Sequence, residues 1–120
     1  MRIAVPKEIK NHEYRVGLTP ASVRELVAHG HEVWVQAGAG AAIGLTDAQY
    51  LAAGAKLAAD AGEAFQRGEM IVKVKEPQAS EIAMLREGQL LYTYLHLAPE
   101  PEQPAGLVRS GAVCVAYETV

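Results

Sequence analysis

The chain has 120 residues, a formal net charge of −3 and a hydrophobic content of 50%. This length and apolar content predict one domain with a buried core, and the acidic balance excludes a broad electrostatic attraction to nucleic acid. No apolar stretch approaches the ~20 residues that a membrane helix needs, and the apolar part of the N-terminus is too short for a signal peptide. The single cysteine, Cys114, excludes a disulfide framework and predicts a reducing compartment such as the cytoplasm.

Five short apolar runs are predicted to be strands. They are RIAV (2–5), EVWVQ (32–36), MIVKV (70–74), QLLYTYL (89–95) and AVCVAY (112–117). Most of them are nearly continuous in apolar residues rather than alternating, which is typical of strands buried on both faces of a parallel sheet. A short extra strand near AKLA (55–58) is left open.

Helix signals separate these runs. Gly30 fits the position just beyond the first helix, and Gly88 ends the fourth. A last helix is expected within 99–110, where Pro101 and Pro104 compete for the first turn. The predicted N-caps, with the capping-box partner where there is one, are Thr19 (followed by Pro20), Thr46 (Gln49), Asp60 (Glu63) and Ser80.

Strands and helices therefore alternate along the chain. Such an order implies βαβ units with right-handed crossovers. The predicted fold class is α/β: a doubly wound, mostly parallel sheet with helices on both faces, of the Rossmann or flavodoxin type.

The glycine-rich loop GAGAAIG (38–44) follows a strand and resembles a dinucleotide-binding loop. The fingerprint G-x-G-x-x-G/A must open directly into a helix. Here Ile43 takes the third position, Gly44 comes one residue late, and the helix begins only after Thr46. The loop is therefore interpreted as a tight connection that needs positive φ angles.

Polar residues follow four of the predicted strands. Arg15 lies in the long loop after the first, Lys75 ends the third, His96 follows the fourth and Glu118 the fifth. The carboxyl ends of parallel strands meet at one edge, so these residues are expected to converge. Arginine can bind a carboxylate through its fork, lysine can polarise a carbonyl, and histidine can exchange a proton near neutral pH. The pattern predicts a pocket for a small anion that carries a carbonyl.

Structural interpretations stay open for each of these residues taken singly. A loop arginine is usually solvated, a strand-end lysine usually lies on the surface, and a histidine between leucines is usually a hydrogen-bonded core residue. Lys73 lies deeper in its strand and is interpreted as packed or paired. The other three histidines, His12, His29 and His31, are expected to be exposed. Their spacing to other potential metal ligands does not match a metal site, so none is predicted from them.

Five blocks of the sequence resemble the N-terminal part of alanine dehydrogenase. They are VPKEIKNHEYRVGLTP, VQAGAG, VKVKEP, YTYLHLA and AYETV, and the resemblance covers essentially the whole chain. The family is similar to the nicotinamide nucleotide transhydrogenase α subunit, which shares the VPKE…RV…TP opening and the GAG loop. The counterparts of Lys75 and His96 are not kept in that relative's pattern, so their presence favours alanine dehydrogenase.

The resemblance implies an oxidoreductase that converts L-alanine, NAD⁺ and water to pyruvate, ammonia and NADH. Arg15 and Lys75 match the residues that hold the substrate carboxylate and carbonyl, and His96 matches the catalytic acid/base. Glu118 matches a position associated with a metal or with support of the site.

In that family the NAD-binding loop and a second catalytic carboxylate lie beyond residue 120. Residues 1–120 are therefore expected to form the substrate-binding domain of a longer chain, inactive alone, with NAD bound mainly by the missing domain. The family usually assembles as homohexamers. Two alternatives remain: a transhydrogenase-type NAD(H) domain, and a non-enzymatic domain that binds an oxo acid or serves assembly.

Overall fold

The computed structural model describes residues 1–93 and the strand at 113–116. Six parallel strands form one sheet in the order β3-β2-β1-β4-β5-β6. The strands are β1 (Arg2–Val5), β2 (Glu32–Gln36), β3 (Lys56–Ala58), β4 (Met70–Val72), β5 (Leu90–Thr93) and β6 (Val113–Ala116). The α-helices are α1 (Pro20–Ala28), α2 (Asp47–Ala52), α3 (Ala61–Arg67) and α4 (Ala79–Ile82). The predicted parallel α/β fold is confirmed, and the extra strand left open near residue 55 is β3.

Strand β1 occupies the centre of the sheet, between β2 and β4. From β1 the chain builds outward through β2 to β3, and it then returns to place β4, β5 and β6 on the other side. The strand order reverses between β1 and β4. In open α/β sheets, ligands bind at such a reversal, beyond the carboxyl ends of the strands.

The alternation of side chains along β1 divides the core into two layers. Ile3 and Val5 pack with Val23 of α1 and Tyr50 of α2 on one face. Ala4 points to the other face, into a cluster that includes Phe65 of α3 and residues of β4 and β5. Helices therefore cover both faces of the sheet, as the continuous apolar runs predicted.

Three of the four predicted helix starts are confirmed. Thr19 accepts the amide of Ser22, and Thr46 forms a reciprocal capping box with Gln49. Asp60 accepts the amide of Glu63, but the Glu63 carboxylate bonds Ala59 N rather than closing the box. These caps satisfy amides that would otherwise be unpaired at the helix start.

The predicted cap at Ser80 is wrong. Helix α4 begins at Ala79 with Gln78 as its N-cap, because the buried carboxylate of Glu81 accepts the Gln78 amide at 2.9 Å. Ser80 lies inside this helix, which ends at Ile82 rather than near Gly88. The helix expected within 99–110 lies outside the described residues.

The glycine-rich loop has the predicted backbone geometry. Gly38 and Gly44 both have φ near 80°, and a single 3₁₀ turn (Ala41–Ile43) lies between them. The Gly38 amide donates to the carboxylate of Asp47 at 2.9 Å, which closes the loop onto α2. The loop is a tight connection whose first amide already has an anionic partner.

Gly17 sets how closely the loop after β1 approaches β4. A Cβ at this position would lie 2.6 Å from the carbonyl oxygen of Val72, a main-chain atom that cannot rotate away. We expect Gly17→Ala to lower the free energy of unfolding by about 1–3 kcal/mol in urea denaturation. Gly62→Ala in α3 is the matched control, because its Cβ would meet only Asp60 Oδ1 at 3.4 Å. A loss no larger than the control's would contradict a tight contact here.

Within the described part of the chain, no helix is long and apolar enough to cross a membrane.

Candidate functional site

The candidate site lies beyond the carboxyl ends of β1 and β4, where the strand order reverses. A cavity of about 380 Å³ opens beside it, beyond the carboxyl ends of β1 and β2; Arg15 lines this cavity, whereas Lys75 is not among its lining residues. One wall is the loop after β1, residues 7–15, and the other is the glycine-rich loop after β2. The loop interpreted as a plain connection from its sequence therefore also forms a wall of this cavity.

Arg15 lines the cavity and forms an ion pair with Glu13. Its Nε and Nη2 donate to the two oxygens of the Glu13 carboxylate at 3.0 and 2.8 Å. The Arg15 side chain is 63% exposed and is therefore not buried, but its ion pair with Glu13 means that it is not simply solvated. Glu13 holds one edge of the guanidinium. Within residues 1–93 no hydrogen bond occupies Nη1, so the Nη1/Nη2 edge can still receive a second carboxylate in two-point contact.

The charge on Glu13 links Arg15 to Lys75. The hydrogen bond from Arg15 is the main reason why the pKa of Glu13 falls from 4.5 to about 2. The positive charge of Lys75 lowers the same pKa further. The two cations thus act on one carboxylate although they follow different strands.

We expect Glu13 to stay ionised in the folded protein down to about pH 2, and Arg15→Gln to raise its pKa toward 4.5. A depressed pKa stabilises the folded state above the unfolded-state value, and this contribution is lost as the pH falls from about 4.5 toward 2. A ¹³C NMR titration of the carboxyl groups tests this, with Lys56→Gln as a control far from Glu13. A Glu13 pKa that does not change in Arg15→Gln would show that Arg15 does not hold the carboxylate.

Lys75 follows β4 and has both of its main-chain polar groups fixed. Its amide donates to Glu8 Oε1 at 3.2 Å. Its carbonyl accepts the hydroxyl of Thr93 at 2.7 Å and the ammonium of Lys73 at 3.1 Å. The side chain of this half-buried residue therefore starts from a main chain that neighbouring elements hold on both sides.

A buried charge cluster, formed by Lys73, Glu8 and Glu81, lies beneath Lys75. The Lys73 side chain is 1% exposed, and its ammonium is 2.9 Å from Glu8 and 3.4 Å from Glu81. The interpretation of Lys73 as packed and paired is confirmed. Burial raises the pKa of Glu81, and Lys73 opposes that rise. The buried carboxylates of Glu8 and Glu81 thus share the one ammonium of Lys73.

Glu8 also explains why β4 is shorter than predicted. Its second oxygen, Oε2, accepts the amide of Val74 at 2.9 Å. The strand was predicted to run to Val74, but it ends at Val72 because the carboxylate takes amides that would otherwise continue the ladder. The pairing of Glu8 and Glu81 with Lys73 was not predicted from the sequence. The available signal was Lys73 itself, since a lysine inside a buried strand requires a counter-charge.

A second ion pair joins the loop after β1 to the segment after β4. The ammonium of Lys10, in the loop after β1, contacts the buried carboxylate of Glu76, which follows β4. Both this pair and the Lys73–Glu8 pair run from the loop after β1 to the segment after β4, so they hold the loop that carries Arg15 against the segment that carries Lys75.

Other predicted site residues are distributed as follows. His96 and Glu118 lie outside the described residues. His12 and His29 are exposed, as predicted, but His31 is partly buried because its amide bonds Leu26 O and draws the residue onto the last turn of α1. In residues 1–93, no three histidine, cysteine, aspartate or glutamate side chains group as a metal site would require.

A family model described as "Alanine dehydrogenase/PNT, N-terminal domain" matches residues 4–120. The chain belongs to this family. The alanine dehydrogenase/PNT domain is 60% identical over 120 residues to the alanine dehydrogenase of Halomonas elongata and 52% identical to that of Methanococcus maripaludis. Each match covers 100% of this chain and 32% of the relative, so the chain spans about a third of their length.

Two solved structures share the fold of this alanine dehydrogenase/PNT domain. An L-alanine dehydrogenase matches with a TM-score of 0.95 and 50% identity, over 98% of this chain and 32% of that one. The transhydrogenase from Sinorhizobium meliloti matches with a TM-score of 0.91 and 30% identity, over 98% of this chain and 35% of that one. The resemblance seen in the sequence is confirmed.

Proposed function

We propose that this domain is the substrate-binding part of an NAD-dependent alanine dehydrogenase, which catalyses the reversible oxidative deamination of L-alanine to pyruvate and ammonia. The observation that carries the proposal is the placement of Arg15 and Lys75 after two neighbouring strands at the reversal point, where both act on Glu13. Higher identity to alanine dehydrogenases than to the transhydrogenase supports this choice within the family.

Each residue has a defined part in the proposed chemistry. The Nη1/Nη2 edge of Arg15 binds the substrate carboxylate, while Glu13 keeps the guanidinium oriented. The ammonium of Lys75 contacts the substrate carbonyl oxygen and stabilises negative charge as it develops there. His96 exchanges a proton with that oxygen.

The described residues do not fit a dinucleotide. The Gly38 amide donates to Asp47, and the loop passes through a 3₁₀ turn and ends at Gly44 before α2 begins at Asp47, so the loop does not lead directly into a helix N-terminus that could meet a pyrophosphate. We place NAD in a second domain of a longer protein, in keeping with the 32% share of the relatives that this chain covers. The same resemblance supports a homohexamer, and the single cysteine supports a cytoplasmic location.

An NADH-oxidation assay of the full-length protein with pyruvate and ammonium tests this proposal. We expect oxidation that needs both compounds, and production of alanine in equal amount. The matched control omits ammonium, since pyruvate alone must then leave NADH unchanged. Hydride exchange between NADH and an oxidised NADP analogue without pyruvate would instead favour a transhydrogenase. Pyruvate binding in calorimetry without any turnover would favour a non-enzymatic binding domain.

A further inference from the structure

We propose that Glu8 is a positioning residue, which holds the main chain of residues 73–75 so that the Lys75 ammonium is directed at the substrate oxygen. This inference rests on the proposed role of Lys75 and gives a role to Glu8, the last residue of the VPKE block, to which the sequence analysis assigned none.

The carboxylate of Glu8 grips the segment after β4 at three points. Oε1 accepts the ammonium of Lys73 at 2.9 Å and the amide of Lys75 at 3.2 Å, and Oε2 accepts the amide of Val74 at 2.9 Å. The Glu8 side chain is almost fully buried, so water does not compete for these bonds. Two of the three donors belong to the main chain, and one is the amide of Lys75 itself.

The need to neutralise the Lys73 ammonium does not by itself explain why a second buried carboxylate, that of Glu8, is present. Glu81 already provides a carboxylate 3.4 Å from the same ammonium, so a second one adds negative charge to a buried cluster. That arrangement is costly unless the extra carboxylate has further partners. Glu8 has such partners in the amides of Val74 and Lys75, whereas Glu81 bonds the Gln78 amide at the start of α4.

The carbonyl of Lys75 is held as well. Thr93 at the end of β5 and Lys73 both donate to the Lys75 carbonyl. The main chain from which the Lys75 side chain extends is therefore held by the loop after β1, by Lys73 just after β4 and by Thr93 of β5. A shift of about 1 Å in a reacting group can reduce the rate about 10²-fold, so such fixation matters for a charge that must meet one oxygen atom.

Glu8→Gln and Glu81→Gln in the full-length protein form a matched pair. Each replaces one buried carboxylate next to Lys73 by an isosteric amide. At position 8 either orientation of the Gln side chain sets its NH₂ group against a main-chain N–H, whereas Gln at position 81 can keep its oxygen on the Gln78 amide. We expect Glu8→Gln to lower kcat/KM for pyruvate by about 10- to 100-fold with KM for NADH unchanged. We expect Glu81→Gln to stay within about threefold of the wild type.

Amide hydrogen exchange of residues 71–77 provides a readout independent of activity. We expect faster exchange at Val74 and Lys75 in Glu8→Gln and no comparable change there in Glu81→Gln. Equal kinetic losses in the two variants, or unchanged exchange in Glu8→Gln, would overturn the proposal. If the wild type lacks ammonium-dependent activity, the proposed function fails, and the exchange data alone then decide whether Glu8 holds the Lys75 main chain.

A second variant covers the case in which Glu8→Gln does not fold. Thr93→Val removes only the hydroxyl that bonds the Lys75 carbonyl. We expect it to lower kcat/KM for pyruvate by about 3- to 10-fold. Tyr50→Phe is its control, because it removes another buried-residue hydroxyl, bonded to Leu18 O at 2.6 Å, away from Lys75. Wild-type kinetics in Thr93→Val would overturn the claim that the Lys75 main chain must be fixed.

Discussion

Lys73→Met is expected to lower the free energy of unfolding by about 3–5 kcal/mol near pH 7, because it removes the one cation of the buried charge cluster. Glu8 and Glu81 would then face each other away from water. Methionine has nearly the length of lysine and fills the same space, so the loss reports the missing charge rather than a cavity.

The pH dependence of this loss identifies its cause. Burial raises the pKa of Glu81 and the ammonium of Lys73 opposes the rise, so the pKa rises further in Lys73→Met. A carboxyl group with a raised folded-state pKa contributes its stability below the unfolded-state pKa and loses it as the pH increases. The deficit of Lys73→Met should therefore shrink when urea unfolding is measured at about pH 5 instead of about pH 8.

Lys56→Met is the control for this measurement. Lys56 also pairs with a glutamate, Glu32, at 3.1 Å, but both side chains are exposed. We expect that substitution to lower the free energy of unfolding far less than Lys73→Met does, because water screens an exposed pair. If Lys73→Met were no more damaging than Lys56→Met, the buried cluster would not contribute to stability as its geometry indicates.

Lys75→Ala in the full-length protein is expected to lower turnover by about 10²-fold or more, because the developing charge on the substrate oxygen would lose its cation. His96→Ala should have an effect of the same order through the lost proton transfer. Steady-state kinetics with pyruvate, ammonium and NADH measure both, with Lys56→Ala as a control at the far edge of the sheet. Near-normal turnover in both variants would contradict the proposed roles of Lys75 and His96 in the reaction.

Local sequence signals were sufficient for most of the fold. The continuous apolar runs predicted a parallel sheet, since a strand buried on both faces has no polar side to show. Thr19, Thr46 and Asp60 predicted helix starts because a side-chain oxygen that satisfies the first amides is a local requirement. The glycine-rich loop was predicted to need positive φ angles, and Gly38 and Gly44 have them because only glycine adopts such angles without strain.

The two errors have different causes. Helix α4 begins at Ala79 rather than after Ser80 because Gln78 and Glu81, three residues apart, form a capping box that the sequence analysis overlooked. Strand β4 stops at Val72 because the buried carboxylate of Glu8, distant in sequence, accepts the amides that follow it. Glu8 is 66 residues from Val74 in sequence, so no spacing rule connects them. The placement of Arg15 and Lys75 at one edge followed from parallel topology, but the pairing of Arg15 with Glu13 required coordinates.

A crystal structure of the full-length protein with pyruvate and NADH tests the proposed site most directly. We expect the pyruvate carboxylate on the Nη1/Nη2 edge of Arg15 and its carbonyl oxygen within about 3 Å of the Lys75 ammonium. His96 should approach the same oxygen. Pyruvate bound away from the carboxyl ends of β1 and β4, or Lys75 directed away from it, would contradict the proposed site.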